Sequence, residues 1–176
     1  MAVDAFIWFT EAGAGGVLPK GETLDKVYGA DDKKAFEIKD FSFSIENPTT
    51  IGSATSGAGA GKAKFNEFEI TKTTDKASPI FFTNCVAGIH YGKVSLAMRK
   101  AGGDPATAGK EFLKYTFGTV FTTGIDWSGP GDEGPEEKIK FVYGTLQVEY
   151  TPQNADGTQG AAIPAGWSQV TNTQFP

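Results

Sequence analysis

The sequence holds a single cysteine, Cys85, and a single histidine, His90, and this pair is the first place to look for nucleophilic chemistry. A thiol and its base must come within hydrogen-bond reach of each other. On a helix, five positions turn the second side chain by about 140° from the first, at roughly 100° per residue, so the two do not face each other. The residues read instead as a thiol on an apolar helix face and a histidine near that helix's negative end, where an imidazolium is favoured. Two ligands also fall short of a zinc site. Glu67 and Glu69 are the nearest thing to paired carboxylates. One strand face would place them about 7 Å apart, inside the inverting-glycosidase range. With Lys64 and Lys72 in the same region, a solvated charged surface is the simpler account.

The glycine-rich run at 57–62, GAGAGK, invites comparison with a phosphate-binding loop, and the spacing rejects it. The first glycine of G-x-x-x-x-G-K falls on Ser56, and the hydroxyl required after the lysine falls on Ala63. The acidic stretch 126–137 lacks the ligand spacing of a calcium loop. No catalytic residue, metal or cofactor is expected.

The elements around these residues are mostly strands. Phe68 and Ile70 alternate with Glu67, Glu69 and Thr71, the period of a strand with one wet face. Ser78 and Pro79 then offer a cap and a first helical turn, and Gly88 a stop. Between them Ile80, Phe81, Phe82, Cys85, Val86 and Ile89 recur at helical spacing. So short a helix is marginal in water and must dock on the flanking strands, the second of which restarts at Val94, Leu96 and Met98. Upstream, Phe6, Ile7, Trp8 and Phe9 form an unbroken apolar run, the pattern of a strand covered on both faces. Residues 10–34 read as an irregular insertion with no assigned chemistry. Residues 35–46 read as a strand whose apolar phase shifts from Phe36 and Ile38 to Phe41, Phe43 and Ile45, with a bulge near Lys39 and Asp40. Ser42, Ser44 and Glu46 then share the wet face. Residues 47–63 form a loop longer than most connections. Two aromatic strands follow at 111–123 and 138–150, joined by an acidic surface loop, with a second bulge at Gly144 and a tail, 158–176, expected to be flexible.

A chain of 176 residues with 39% hydrophobic and 21% charged side chains reads as a single domain, 1–176, with a core of its own. Its 23 glycines and nine prolines favour many turns. The fold class is therefore mainly β, an antiparallel β-barrel or sandwich with one short α-helix packed on it. A net charge of −5 repels phosphate backbones, which makes nucleic acid a poor partner. One cysteine excludes an internal disulfide framework. The first residues, MAVDAFIWFTE, lack the basic region of a secretory signal, and no segment is long enough to insert in a membrane. Cytoplasmic synthesis is expected.

Several motifs are more specific. They are Thr71-Lys72-x-x-Asp75-Lys76-x-Ser78-Pro79, Cys85-x-x-Gly88-x-His90, Arg99-Lys100-Ala101-Gly102-Gly103, and Tyr150-x-Pro152-Gln153-x-x-Asp156-Gly157. Met1-Ala2-Val3-Asp4 and Ile51-Gly52-Ser53 with residues 57–62 add to them. Through these motifs the chain resembles the Hcp family, the haemolysin-coregulated tube proteins of bacterial type VI secretion. The match is poor at 10–34 and beyond Gly157. The resemblance implies a homohexameric ring that stacks into a tube, partnered by spike and sheath proteins and secreted without a cleaved signal. It also implies that Ser42, Ser44 and Glu46 face a lumen that holds small effectors. Thr50, Ile51, Gly52, Ser53, Gly57, Gly59, Gly61 and Lys62 would then be loop contacts between subunits. The competing reading is a monomeric barrel with a small ligand inside, although large inward aromatics would fill such an interior.

Overall fold

A computed structural model describes residues 3–50, 59–100, 109–132 and 134–176. Strand β1, Val3–Ala12, carries the apolar run, and Phe6, Ile7, Trp8 and Phe9 are all buried. Because side chains alternate, Ile7 and Phe9 enter the main core while Phe6 and Trp8 point the other way. There the insertion covers them, with Tyr28 stacked on Phe6 at 4.1 Å between ring centres. Residues 10–34 thus serve as the outer cover that a two-sided strand needs.

The segment expected as one bulged strand is three short ones: β2, Phe36–Glu37; β3, Asp40–Ser42; and β4, Ile45–Glu46. Each has a different partner. β2 pairs with β1, β3 with β8 (Phe68–Thr73), and β4 with β7 (Lys64–Phe65). The expected phase change falls where the chain leaves one partner for the next. The Ile38 N–H donates to Ala5 O and the Lys39 N–H to Thr71 O. A second small ladder joins β5, Thr49–Thr50, to β6, Gly59–Ala60.

Helix α1, Ser78–Val86, is followed by β9, His90–Lys100. Gly88 is the left-handed residue that ends the helix, at φ 66°. Two longer strands complete the body: β10, Glu111–Gly131, and β11, Gly134–Tyr150. The acidic stretch 126–137 is not a loop. Trp127 pairs with Glu137 and Ser128 with Glu136, so the hairpin runs on to its turn. Nor is Gly144 a register shift. Gly118 pairs with Thr145 and Val120 with Tyr143, so both strands change phase together, at Thr119 (φ 50°) opposite Gly144. The register shifts lie instead between Thr122 and Gly124 and between Ser128 and Gly131.

The strands order as β13-β12-β11-β10-β9-β1-β2, with β8 pairing both β11 and β3. A barrel-like wrap results, running β1, β9, β10, β11, β8 and β3, and returning to β1 through β2. It does not close as one continuous ladder. The tail expected to fray forms β12, Ile163–Ser168, hydrogen-bonded onto the second half of β11, and β13, Thr173–Phe175, hydrogen-bonded onto β12. Backbone pairing and the Trp167 ring hold it without a periodic apolar pattern. Inside the wrap, Phe68 stacks on Phe117 at 4.4 Å. Phe9, Phe36, Phe81 and Phe141 fill the helix end. The barrel interior is packed with rings.

Candidate functional site

Three surfaces or clusters on this body bear on function. The first is buried, at the foot of α1. Alternation on β8 turns Lys72 inward, where it is 1% exposed, and β11 turns Glu137 to meet it with an Nζ to Oε1 distance of 2.7 Å. The ammonium also reaches Asp75 Oδ1 and Thr73 O, each at 3.0 Å, so three acceptors surround it. Glu137 Oε1 accepts from Ser78 Oγ at 2.9 Å, and Oε2 accepts from Trp127 Nε1 at 2.9 Å. Ser78 is therefore not the helix cap that its position suggested. Its hydroxyl accepts the Asp75 N–H and donates to Glu137, while Asp75 Oδ1 takes the Ala77 N–H. The helix faces inward through Ser78, Phe81 and Asn84. Phe82 and Val86, expected on the docked face, are 50% and 68% exposed, because polar Asn84 takes the inward position. Asn84 Nδ2 donates to Val17 O and Tyr91 Oη, tying insertion, helix and β9 together. This network is a staple, with each of its charges paired.

The second is the outer face of β3, β8, β11 and β10. Register sets Ser42 beside Glu69 and Glu69 beside Lys140, and the next row sets Asp40, Thr71, Lys138 and Asp126 together. Lys140 reaches Asp126 at 2.7 Å and Lys138 reaches Glu69 at 3.7 Å. Glu67 accepts from Thr123 Oγ1 at 2.8 Å. The two candidate carboxylates are thus engaged on the surface. Ser42, Ser44 and Glu46 are exposed on this side of the molecule. Ser44 Oγ accepts from Asn66, and Glu46 pairs in register with Lys64.

The third is a cleft where the sheet forks. β11 pairs with β8 only over residues 136–141 and with β12 only over 145–150, so the two partners diverge. Between them opens a cleft of about 590 Å³, walled by Ile45, Phe65, Leu146, Val148, Ala165 and Trp167. The Trp167 indole N–H is buried there with no hydrogen-bond partner. Lys62 is the one charged residue lining it. Of the loop candidates, Thr50 and Gly59 pair across β5 and β6. The Gly61 N–H donates to Pro48 O, so close that a Cβ on residue 61 would sit 2.5 Å from that oxygen. Ile51, Gly52, Ser53 and Gly57 lie outside the described residues, as do Met1, Ala2 and residues 101–103.

Cys85 stays on α1 while His90 opens β9, its ring 5.4 Å from that of Phe121, and no hydrogen bond joins the two. Among the described residues no group of three potential ligands is placed to hold a metal. The titration shifts also run away from neutrality. Burial pushes the Tyr143 hydroxyl up to about 12 and raises Tyr28 and Tyr91. For Asp25, burial pulls upward, but the Tyr28 N–H, the Arg99 guanidinium and the Val27 N–H outweigh it and hold the carboxyl below its ordinary value. None of these groups is poised to exchange protons near pH 7. Sequence reasoning missed Glu137, Asn84 and Trp167. For Glu137 the signal was available, since it sits in phase with buried Ile139 and Phe141.

The family described as type VI secretion system effector, Hcp, matches residues 13–150. The chain belongs to the Hcp family. Protein hcp1 of Pseudomonas aeruginosa is 32% identical over 115 residues, which is 64% of this chain and 69% of that protein. A solved type six secretion system protein matches with a TM-score of 0.83 at 30% identity, over 99% of this chain and 100% of the other. Hcp1 from Salmonella typhimurium matches with a TM-score of 0.73 at 26% identity, over 99% and 100%. Hcp is a structural tube family of type VI secretion and not a family of enzymes. Hcp proteins are secreted by that system, and among the described residues no helix is long and apolar enough to cross a membrane.

Proposed function

We propose that this chain forms hexameric rings that stack into the inner tube of a type VI secretion machine, held in the cytoplasm until the machine fires. The observation that carries this reading is the extent of the structural match to a type VI secretion protein, 99% of this chain against 100% of that one. Surface features support it. The sheet order ends on short strands, β2 and β13, edges that association with a neighbour would cover. The β5–β6 ladder, with Thr50 and Gly59 paired in it and Gly61 and Lys62 just after it, is a two-stranded sheet of its own and serves in this reading as a contact arm. The residues between its strands, Ile51, Gly52, Ser53 and Gly57 among them, complete that arm in this reading.

In the ring, the face bearing Ser42, Ser44 and Glu46 lines the lumen. Its hydroxyls and self-paired charges suit small polar effectors. Spike and sheath proteins are the remaining partners. The decisive experiment is mass in solution: sedimentation should show a species six times the 18.6 kDa protomer, and micrographs should show annular particles. Only monomer over a wide concentration range sinks the proposal. Deleting residues 50–61 should abolish stacking and leave the circular dichroism of the body intact. Collapse of the fold would show that the arm belongs to the core.

A further inference from the structure

The fork cleft is unfinished in the isolated chain. Its walls mix apolar Ile45, Phe65, Leu146, Val148 and Trp167 with the amides of Asn47, Asn172 and Gln174, and its one charge is that of Lys62. An occupant that suits it brings an apolar side chain, hydrogen-bonding groups and an acid. The chain itself has a segment of that chemistry. Leu24, on the insertion, is 98% exposed. Two residues before it stands Glu22, whose one ion pair among the described residues is a surface contact to Lys76 at 3.4 Å, with both side chains more than half exposed. Such a pair is worth little and can be exchanged for another.

Placement agrees with chemistry. Glu22 and Leu24 lie beside Phe36, Lys72, Thr73 and Asp75, at the Thr73 end of β8. The cleft lies past the Phe68 end of that strand, beside Phe65 and Leu146. Knob and hole are thus at opposite ends of the body. Unlike surfaces at opposite ends of identical units give head-to-tail contacts, which close into rings or run on as stacks.

We propose that Leu24 of one copy seats in the fork cleft of the next, with Glu22 against Lys62 and the insertion backbone against the cleft amides. The proposal rests on the self-assembly reading and names the surface that carries it. A Cys85→Ser background allows the test. Leu24→Cys and Ala165→Cys proteins, mixed and oxidised, should give a covalent dimer, while neither should cross-link alone. Independently, Lys62→Glu should weaken assembly about tenfold or more in concentration dependence, and adding Glu22→Lys should restore it. If the parent forms rings but the mixture gives no dimer and the charge exchange gives no rescue, this contact is wrong and the ring stands. If the parent is only monomeric, the ring reading falls and this contact with it.

Discussion

Two ion pairs in this molecule share the same separation and differ in everything else. Lys72 meets Glu137 at 2.7 Å with side chains 1% and 0% exposed, and Lys140 meets Asp126 at 2.7 Å with side chains 34% and 62% exposed. Distance alone would rank them equal. Water decides otherwise. On the outer face, solvent screens both charges and offers each a substitute partner, so the pair contributes little. At the foot of α1 neither charge has water to return to: removing Lys72 strands Glu137, and removing Glu137 leaves Lys72 with Asp75 as its one remaining counter-charge. A lysine paired with a carboxylate is a dispensable decoration in one region and a condition of folding in the other.

The comparison is broken most directly by Glu137→Ala, which leaves Lys72 buried with only Asp75 and Thr73 O as acceptors and takes the acceptor from Ser78 and Trp127, and should cost about 3–5 kcal/mol in urea unfolding. If the loss is under about 1 kcal/mol, burial does not govern the pair. The paired replacement Lys72→Met with Glu137→Leu sharpens the point, since removing both charges together should recover most of that loss. A smaller effect comes from Trp127→Phe, which keeps the ring and leaves Glu137 Oε2 without its donor. About 1–3 kcal/mol should be lost, read from the thermal midpoint. Asp25, which anchors the insertion through Arg99, tests burial by pH. Its folded carboxyl titrates below its ordinary value, so its stabilisation is complete above that value and disappears as pH falls through the lowered one. Asp25→Asn should therefore flatten the stability difference between pH about 6 and about 2.5. Asp126→Ala should change stability least, by no more than about 1 kcal/mol, with no response to added salt beyond that.

The sequence was most legible where a residue type has one structural use. Gly88 ends α1 as its conformational freedom suggests, and the break at Lys39 and Asp40 follows from the phase of the aromatics. The apolar run at Phe6 to Phe9 correctly announced two covered faces. What covers the outer face was hidden, because Tyr28 is a lone aromatic in an aperiodic, charged insertion. The tail was misread for a similar reason: β12 is held by backbone pairing onto β11 and β13 by pairing onto β12, which leaves no hydrophobic period to detect. Ser78 looked like a cap because serine before proline usually is one, and only the fold brings Glu137 from 59 positions away to claim its hydroxyl. Among the proposed contacts, the exposed positions Ser42, Ser44 and Glu46 were legible as wet, but the fork cleft was not. It arises from the divergence of two partners along one strand, a property of the sheet and of no single residue.

That shared strand has a mechanical consequence. β11 belongs at once to the barrel-like body and, through β12, to the flap that carries Trp167. A rigid tilt of the flap cannot be isolated from its root; it must bend the same backbone that aligns Glu137 under the helix. Force delivered to the rim of the protomer is thereby geared into its interior.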